Sequence, residues 1–230
     1  GKLNLPGAMF TASHNPAAYN GIKLCKSQAK PIGQESGLLR IKDLVITGVP
    51  IANRPVGKER SENLLDPYVD FLLSLFDFSK AKRKLKVVID AGNGMAGHTA
   101  PAVMARLNVD VIPMYFELDG TFPNHEANPI DPANVVDLQK AVKKHKADIG
   151  LAFDGDADRC LAVDAQGNVI DGDAIMTILG RGFKERGALK SNTIVGTVMS
   201  NLGFMHAMKE AGIDVITTAV GDRYVLEKML

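Results

Sequence analysis

The sequence has no tryptophan, only two cysteines and almost no net charge. Among its 230 residues, 27 are Lys or Arg and 26 are Asp or Glu, so the formal charge is +1. Proteins that bind nucleic acid usually carry a clear excess of basic residues, which creates an attractive field for phosphates. Because this excess is missing, no nucleic-acid partner is predicted.

Long apolar runs are missing as well. No stretch approaches the roughly 18 consecutive apolar residues that a membrane-spanning helix needs, so no membrane partner is predicted. The two cysteines, Cys25 and Cys160, are too few for a disulfide-stabilised secreted scaffold and are typical of a reducing compartment. We therefore expect a cytoplasmic protein.

The composition and the order of apolar segments instead indicate a folded α/β protein. Hydrophobic residues make up 46% of the chain and charged residues 23%, which excludes a disordered chain. Strands are predicted at 8–10 and 22–24, and a helix at 63–76. From residue 84 onward strands alternate with helices: strands at 87–89, 109–116, 149–153, 193–198 and 214–218, and helices at 99–107, 132–146, 173–185, 202–211 and from 223. This order implies consecutive α/β domains with mixed, mostly parallel sheets.

Breaks in the pattern predict the domain boundaries. The polar segment 52–60 contains both proline and glycine, so a linker is predicted at 51–62. Residues 1–50 then form part of a first domain, 63–168 a second α/β domain and 169–230 the beginning of a third. The pattern is interrupted at both ends, so we expect the sequence to be a piece of a longer protein.

The hexapeptide from Asp154 to Arg159 is the most informative motif. On an extended segment, side chains at alternate positions share one face, so Asp154, Asp156 and Asp158 are expected to converge. Three carboxylates this close repel each other unless a cation neutralises them, and hard oxygen ligands suit Mg²⁺. Arg159 beside them suits a phosphate group. The alternative is a solvated acidic loop, but the motif directly follows a predicted strand, where α/β proteins place their sites.

A second candidate site lies near the start of the chain. Ser13 and His14 occupy a polar turn after the first predicted strand, where a serine hydroxyl could act as a nucleophile. Serine, asparagine and proline are also ordinary turn residues, so the turn alone does not establish a function. Lys23 follows a tight turn ten residues later and could return to the same site as an acid or base.

Two further segments have competing interpretations. Residues 92–97 match the glycine pattern of dinucleotide-binding folds, and Glu117 lies near the position of a ribose-binding acid. The alternative is a glycine-rich turn that lets a helix pack closely against a strand. Residues 122–129 surround His125 with polar turn formers, and a structured loop is predicted there.

Taken together, the segments 11–16, 20–23 and 154–159 resemble motifs of the α-D-phosphohexomutases, the phosphoglucomutase/phosphomannomutase superfamily, in the same order and at similar separations. The resemblance implies that Ser13 is phosphorylated. It further implies that Ser13, Asp154, Asp156 and Asp158 surround Mg²⁺, and that Arg159 steadies the phosphoryl group. It also assigns substrate contact and proton transfer to the remaining two candidates, which are His14 and Lys23.

The same resemblance implies a reaction and a domain arrangement. The phosphoserine would pass its phosphoryl group to a hexose 1-phosphate, giving a bound hexose 1,6-bisphosphate. The phosphoryl group at the 1-position would then return to the serine, which re-forms the phosphoserine and releases the 6-phosphate. Family members have four domains, so the chain is expected to hold part of domain I, domain II and part of domain III. Without the remaining parts, the chain alone is expected to be inactive in turnover.

The preferred sugar is left open by the sequence. Segments 10–16 and 122–129 look like phosphomannomutase/phosphoglucomutase enzymes, whereas 197–202 and 220–225 look like phosphoglucosamine mutases. Mannose, glucose and glucosamine phosphates therefore remain candidate substrates. Two other classes also remain: a dinucleotide-binding oxidoreductase module built on 92–97, and a binding fragment without catalysis.

Overall fold

The computed structural model describes residues 2–49, 57–78 and 82–230, and these form two compact units. The first unit contains the described residues up to 12 and from 19 to 78. The second contains residues 13–18 together with 82–230. In the described part of the chain, no helix is both long enough and apolar enough to span a membrane.

The first unit combines a hairpin with two helices. Strands β1 (Gly7–Phe10) and β2 (Ile22–Cys25) pair in antiparallel register, as predicted for both segments. Helix α1 (Leu39–Thr47) was not predicted, whereas α2 (Leu65–Ser74) lies within the predicted helix. Positions 51–56 of the predicted linker lie outside the described residues, and the rest of it has no regular secondary structure.

The second unit contains a five-stranded mixed sheet with the strand order β4-β3-β5-β6-β7. Its strands are β3 (Leu85–Asp90), β4 (Val109–Met114), β5 (Ile149–Phe153), β6 (Cys160–Asp164) and β7 (Val169–Ile170). Strand β3 pairs in parallel with both β4 and β5, which confirms the alternating strand and helix order.

Parallel and antiparallel strand pairs both occur in the described sheets, which confirms the predicted mixed sheets. Strand β6 runs antiparallel to both β5 and β7. The reason is local, because two short turns, 154–159 and 165–168, fold the chain directly back. A parallel connection would need a crossover of a dozen or more residues, and these turns are too short for one.

Helices cover both faces of this sheet. On one face, Val88 of β3 packs with Leu138 of α4 (Val136–His145), and both side chains are fully buried. On the other face, Val87 and Ile89 pack near Ala100 of α3 (Ala96–Met104). Successive residues of a strand point to opposite faces, so β3 supplies both cores. The carboxyl ends of the parallel strands β3 and β5 therefore lie side by side at one end of the sheet, between the helices that pack on its two faces.

The last part of the second unit repeats the strand and helix pattern on a smaller scale. Strands β8 (Thr193–Thr197) and β9 (Asp214–Thr218) pair in parallel. Their neighbouring helices are α5 (Gly172–Glu185), α6 (Leu202–Glu210) and α7 (Asp222–Met229). A small core forms around Phe204, Met208 and Ile213. All of these elements overlap the segments predicted from the sequence.

Candidate active site

The turn that carries Ser13 contacts the loop after β5, although the two are far apart in sequence. The Ser13 hydroxyl donates a hydrogen bond to Asp154 Oδ2 at 3.0 Å, and Asp156 Oδ1 lies 3.5 Å away. Ser13 has a positive φ of 56°, a left-handed conformation that is uncommon for a residue other than glycine. Such strain is often found at functional sites, where the surrounding structure holds it in place.

The three aspartates converge as the alternate spacing predicts. One carboxylate oxygen from each of Asp154, Asp156 and Asp158 lies within 4.8 Å of the other two. Asp154 is fully buried, Asp156 is half-buried and Asp158 is exposed, so the cluster opens from the sheet edge toward solvent. Carboxylate oxygens are the ligands that Mg²⁺ prefers, and the mutual repulsion of three such groups favours a bound cation. This donor set fits Mg²⁺.

Arg159 connects the aspartate loop to the serine turn. Its backbone N–H donates to Asp154 Oδ1 and its Nε donates to Asp154 Oδ2, each at 3.0 Å. Its Nη2 donates to the Ser13 hydroxyl oxygen at 2.6 Å and also contacts His14 Nδ1. One planar guanidinium group therefore orients the serine, the buried carboxylate and the imidazole together.

The close approach of these loops requires glycine at two positions. A β-carbon on Gly155 would collide with the carbonyl oxygen of Ser13, and one on Gly94 would lie 2.7 Å from the carbonyl oxygen of Gly155. Met95 N–H donates to that same Gly155 oxygen at 2.9 Å. The turn 92–97 therefore packs its backbone against the aspartate loop. This packing gives Gly94 of the glycine pattern a structural role that needs no dinucleotide.

Cys160 lies directly after Arg159 and is inert by its environment. Burial raises the pKa of its thiol to about 12, and the negative charge of Asp154 adds to this effect. A thiol must lose its proton to act as a nucleophile. Cys160 is therefore not a candidate nucleophile.

The sequence analysis missed a second buried carboxylate at the same sheet edge. Asp90 ends β3, is 1% exposed, and lies 3.1 and 3.2 Å from Nε2 of His125. The hydrogen bond to Asp90 raises the pKa of His125, although burial acts in the opposite direction. A signal for Asp90 was available, because it follows an apolar strand just as Asp154 does. His125 was singled out only as a loop residue.

Lys23 lies on β2, where it pairs with Met9 of β1, and its side chain is exposed. It belongs to the first unit, whereas Ser13 and the aspartates belong to the second. A role for Lys23 at the site stays a prediction. The structure therefore brings together six of the seven candidate residues, which are Ser13, His14, Asp154, Asp156, Asp158 and Arg159.

Comparisons with known proteins give a consistent result for the chain. The family models for phosphoglucomutase/phosphomannomutase alpha/beta/alpha domains I, II and III match residues 2–47, 66–167 and 171–230. A phosphoglucosamine mutase from Parafrankia sp. (strain EAN1pec) is 44% identical, with 97% of this chain and 48% of the relative covered. A phosphoglucosamine mutase from Caldanaerobacter subterraneus subsp. tengcongensis is 45% identical, with 97% and 50% covered.

A solved structure shows the same fold. The crystal structure of a phosphoglucomutase/phosphomannomutase family protein from Burkholderia thailandensis matches with a TM-score of 0.85 and 28% sequence identity. The match covers 97% of this chain and 47% of that chain. This chain therefore spans about half the length of the relatives it matches. Since domain models of one family account for nearly all of its residues, the chain belongs to the α-D-phosphohexomutase superfamily.

Proposed function

We propose that this chain carries the phosphoserine and metal-binding part of a Mg²⁺-dependent phosphohexomutase, which interconverts hexose 1-phosphates and hexose 6-phosphates. The contact of the Ser13 hydroxyl with both Asp154 and Arg159 is the observation that carries the proposal. A serine used only as a turn former would not need a guanidinium group and a cluster of three carboxylates around its oxygen.

Each residue of the site has a part in phosphoryl transfer. In the proposed reaction, the bond between phosphorus and Ser13 Oγ breaks while a bond forms between phosphorus and a sugar hydroxyl oxygen. Bound Mg²⁺ would supply positive charge for the transferring phosphoryl group. Arg159, already within hydrogen-bond distance of Ser13 Oγ, stabilises the charge that spreads over the phosphoryl oxygens.

His14 and Lys23 are assigned different roles. The ring of His14 contacts the guanidinium group of Arg159, which places it beside the Ser13 hydroxyl. We therefore assign His14 to contact with a sugar or phosphate oxygen. We assign the acid and base steps to Lys23, which takes the proton of the attacking hydroxyl and returns one to the departing oxygen.

The names of the relatives support an amino sugar as the substrate. The relatives from Parafrankia and Caldanaerobacter are phosphoglucosamine mutases that share 44% and 45% identity with this chain. We therefore propose glucosamine phosphate as the preferred substrate and a hexose 1,6-bisphosphate as the bound intermediate. Mannose and glucose phosphates are the alternative candidate substrates, because segments 10–16 and 122–129 resemble phosphomannomutase/phosphoglucomutase enzymes.

The domain assignment and the location are part of the proposal. We assign residues 1–50 to the phosphoserine domain, 51–62 to a linker, 63–168 to the metal-binding domain and 169–230 to part of a third domain. The matches to domain models at 2–47, 66–167 and 171–230 support this assignment. A cytoplasmic location rests on the low cysteine count.

A phosphorylation experiment tests the function directly. The 230-residue chain is incubated with Mg²⁺ and a hexose 1,6-bisphosphate, and its intact mass is measured. We expect a gain of one phosphoryl group that peptide mapping assigns to Ser13, and no gain for Ser13→Ala or when a chelator removes the metal. Phosphorylation at another residue, or none at Ser13 in a folded and metal-loaded chain, would contradict the proposal.

A further inference from the structure

We infer that His125 is a positioning residue that holds the metal-binding loop, residues 154–159, in place as a doubly protonated imidazolium, and that metal affinity therefore falls when this ring loses a proton. The inference rests on the proposed function, because it assigns the loop to a metal. His125 itself does not touch any of the three aspartates in the hydrogen bonds that define the site.

The surroundings of the ring require two donated hydrogen bonds. His125 Nε2 lies 3.1 and 3.2 Å from the two carboxylate oxygens of Asp90, and Nδ1 lies 2.9 Å from the backbone carbonyl oxygen of Glu126. Both partners are acceptors without a proton to give. A neutral imidazole has only one N–H group, so only the imidazolium form donates to both.

Two backbone segments connect this ring to the metal-binding loop. Asp90 Oδ1 also accepts a hydrogen bond from the N–H of Gly92 at 2.9 Å, which fixes the beginning of the turn 92–97. That turn reaches the loop through the hydrogen bond from Met95 N–H to the Gly155 carbonyl oxygen. The imidazolium and Gly92 thus share one buried carboxylate.

The second connection runs through the loop that contains His125. Ala127, two residues further along, is 2% exposed and lies 3.4 Å from the position that a β-carbon on Gly92 would take. Its methyl group also lies 3.7 Å from the corresponding position at Gly155. Ala127 thus fills the space beside Gly155, the glycine between Asp154 and Asp156, and loosening His125 would let this neighbour of the loop move.

The neighbouring charges favour the protonated ring. Asp90 and Asp137 are the carboxylates whose charges raise the pKa of His125. The ring of Tyr115 lies edge-on to His125, with 5.4 Å between the ring centroids, and its hydroxyl donates to Asp137. Lys140 also pairs with Asp137, which reduces that carboxylate's effect on the ring.

The direction of the pH dependence follows from these groups. Because the pKa of His125 is raised above its usual value near 6.5, the imidazolium persists to a higher pH than for an ordinary histidine. The stabilisation of the loop is present below that value and is lost as the pH rises through the raised pKa. Carboxylate ligands alone would give the opposite trend, because they bind metal better as the pH rises from acid.

The experiment measures Mn²⁺ binding to the 230-residue chain by electron paramagnetic resonance between about pH 6 and pH 8.5, a range in which histidine titrates. For His125→Gln, whose single amide nitrogen can donate toward Asp90 but carries no charge, we expect affinity to fall about tenfold at the low end of this range, as for other residues that orient ligands. Wild-type affinity should decline with rising pH, and the variant should show no such decline. The matched control is His206→Gln. His206 is an exposed residue of α6. We expect this variant to have wild-type affinity at every pH.

Further measurements separate the possible failures. Unchanged affinity in His125→Gln, or the same pH profile in the variant and in the wild type, overturns the inference and leaves the proposed function standing. No Mn²⁺ binding and no Ser13 phosphorylation in the wild type overturn both. If the variant does not fold, a nitrogen-15 NMR titration of the wild-type ring decides the matter. A midpoint at or below the usual histidine value near 6.5 contradicts the inference, and a midpoint above it supports the inference.

Discussion

Gly155 and Ser13 meet backbone to backbone, so closely that a β-carbon on Gly155 would overlap the carbonyl oxygen of Ser13. This contact sets the distance between the serine hydroxyl and the carboxylates on either side of the glycine. Gly155 is flanked by Asp154 and Asp156, whose oxygens lie 3.0 and 3.5 Å from Ser13 Oγ. Any change that separates the two loops therefore moves the serine away from the aspartate cluster.

Gly155→Ala should abolish rapid phosphorylation of Ser13. The added methyl group must displace either the serine turn or the aspartate loop, and a misplacement of about 1 Å can cost about a hundredfold in rate. The rate is measured as the increase in intact mass with time in the presence of a hexose 1,6-bisphosphate and Mg²⁺.

Gly182→Ala is the matched control for this change. Gly182 lies within helix α5, and an added β-carbon there would meet no atom within 4 Å. We expect a normal phosphorylation rate and an increase of about 0.4–1 kcal/mol in the free energy of unfolding, since alanine favours the helix. Equal rates for the two variants would show that the contact between Gly155 and Ser13 has no functional importance.

Variants of Asp154 and Asp156 should differ in their free energy of unfolding but should both lose metal binding. Asp154 is fully buried and accepts hydrogen bonds from Ser13 and twice from Arg159. Asp154→Ala should lower the free energy of unfolding by about 2–4 kcal/mol, because it leaves these donors without their acceptor. Asp156→Asn should change it by less than about 0.5 kcal/mol. Urea unfolding measures both values.

Both aspartate variants should lose metal binding, because each removes a charged oxygen ligand. Titration with Mn²⁺ under identical conditions provides the measurement. If Asp156→Asn retained wild-type affinity, the aspartate cluster would not be the metal site, and the loop would have to be reinterpreted as a solvated acidic turn.

Arg159→Lys should slow Ser13 phosphorylation by about a hundredfold, in the range found when a single donor to a developing charge is removed. A lysine ammonium group lacks the planar fork that contacts Asp154 and Ser13 at the same time. Arg83→Lys is the control. Arg83 is paired with Asp148 near the amino end of β3, at the sheet edge opposite the site. A comparable loss in both variants would count against a specific role for Arg159.

The 230-residue chain by itself should be phosphorylated without catalysing sugar turnover. The proposed bisphosphate intermediate would have to be held at its second phosphate while it is reversed, and the chain spans only about half the length of its relatives. Correct positioning contributes about 7–11 kcal/mol in well-oriented reactions. A coupled assay with glucosamine, glucose and mannose 1-phosphates measures this. Turnover near an ordinary rate of about 10 per second would show that these residues suffice.

Local patterns in the sequence were enough to locate most regular elements. The apolar run at 87–89 predicted β3, and the alternation of strands and helices after residue 84 predicted the layered α/β arrangement. Helix α1 was missed, although its apolar residues recur at helical spacing as clearly as those of α2. It follows the irregular segment 34–38, and all of its residues are at least partly exposed.

Strand β6 was not among the predicted strands. The sequence did not show that the chain would reverse after 154–159 into the neighbouring position of the same sheet. Pairing depends on which strand has an unpaired side. Because β3 occupies one side of β5, β6 pairs along the other side. Such availability is a property of the assembled sheet.

The sequence by itself determined the chemistry of the site: three carboxylates at alternate positions after a strand, an arginine next to them, and a serine in a turn. Their mutual repulsion and the preference of Mg²⁺ for oxygen are intrinsic to those side chains. Only the tertiary structure decided which distant groups join them. It brings Ser13 to Asp154 across 141 positions and His125 to Asp90 across 35, because sheet pairing and backbone packing bring together segments whose separation no local pattern encodes.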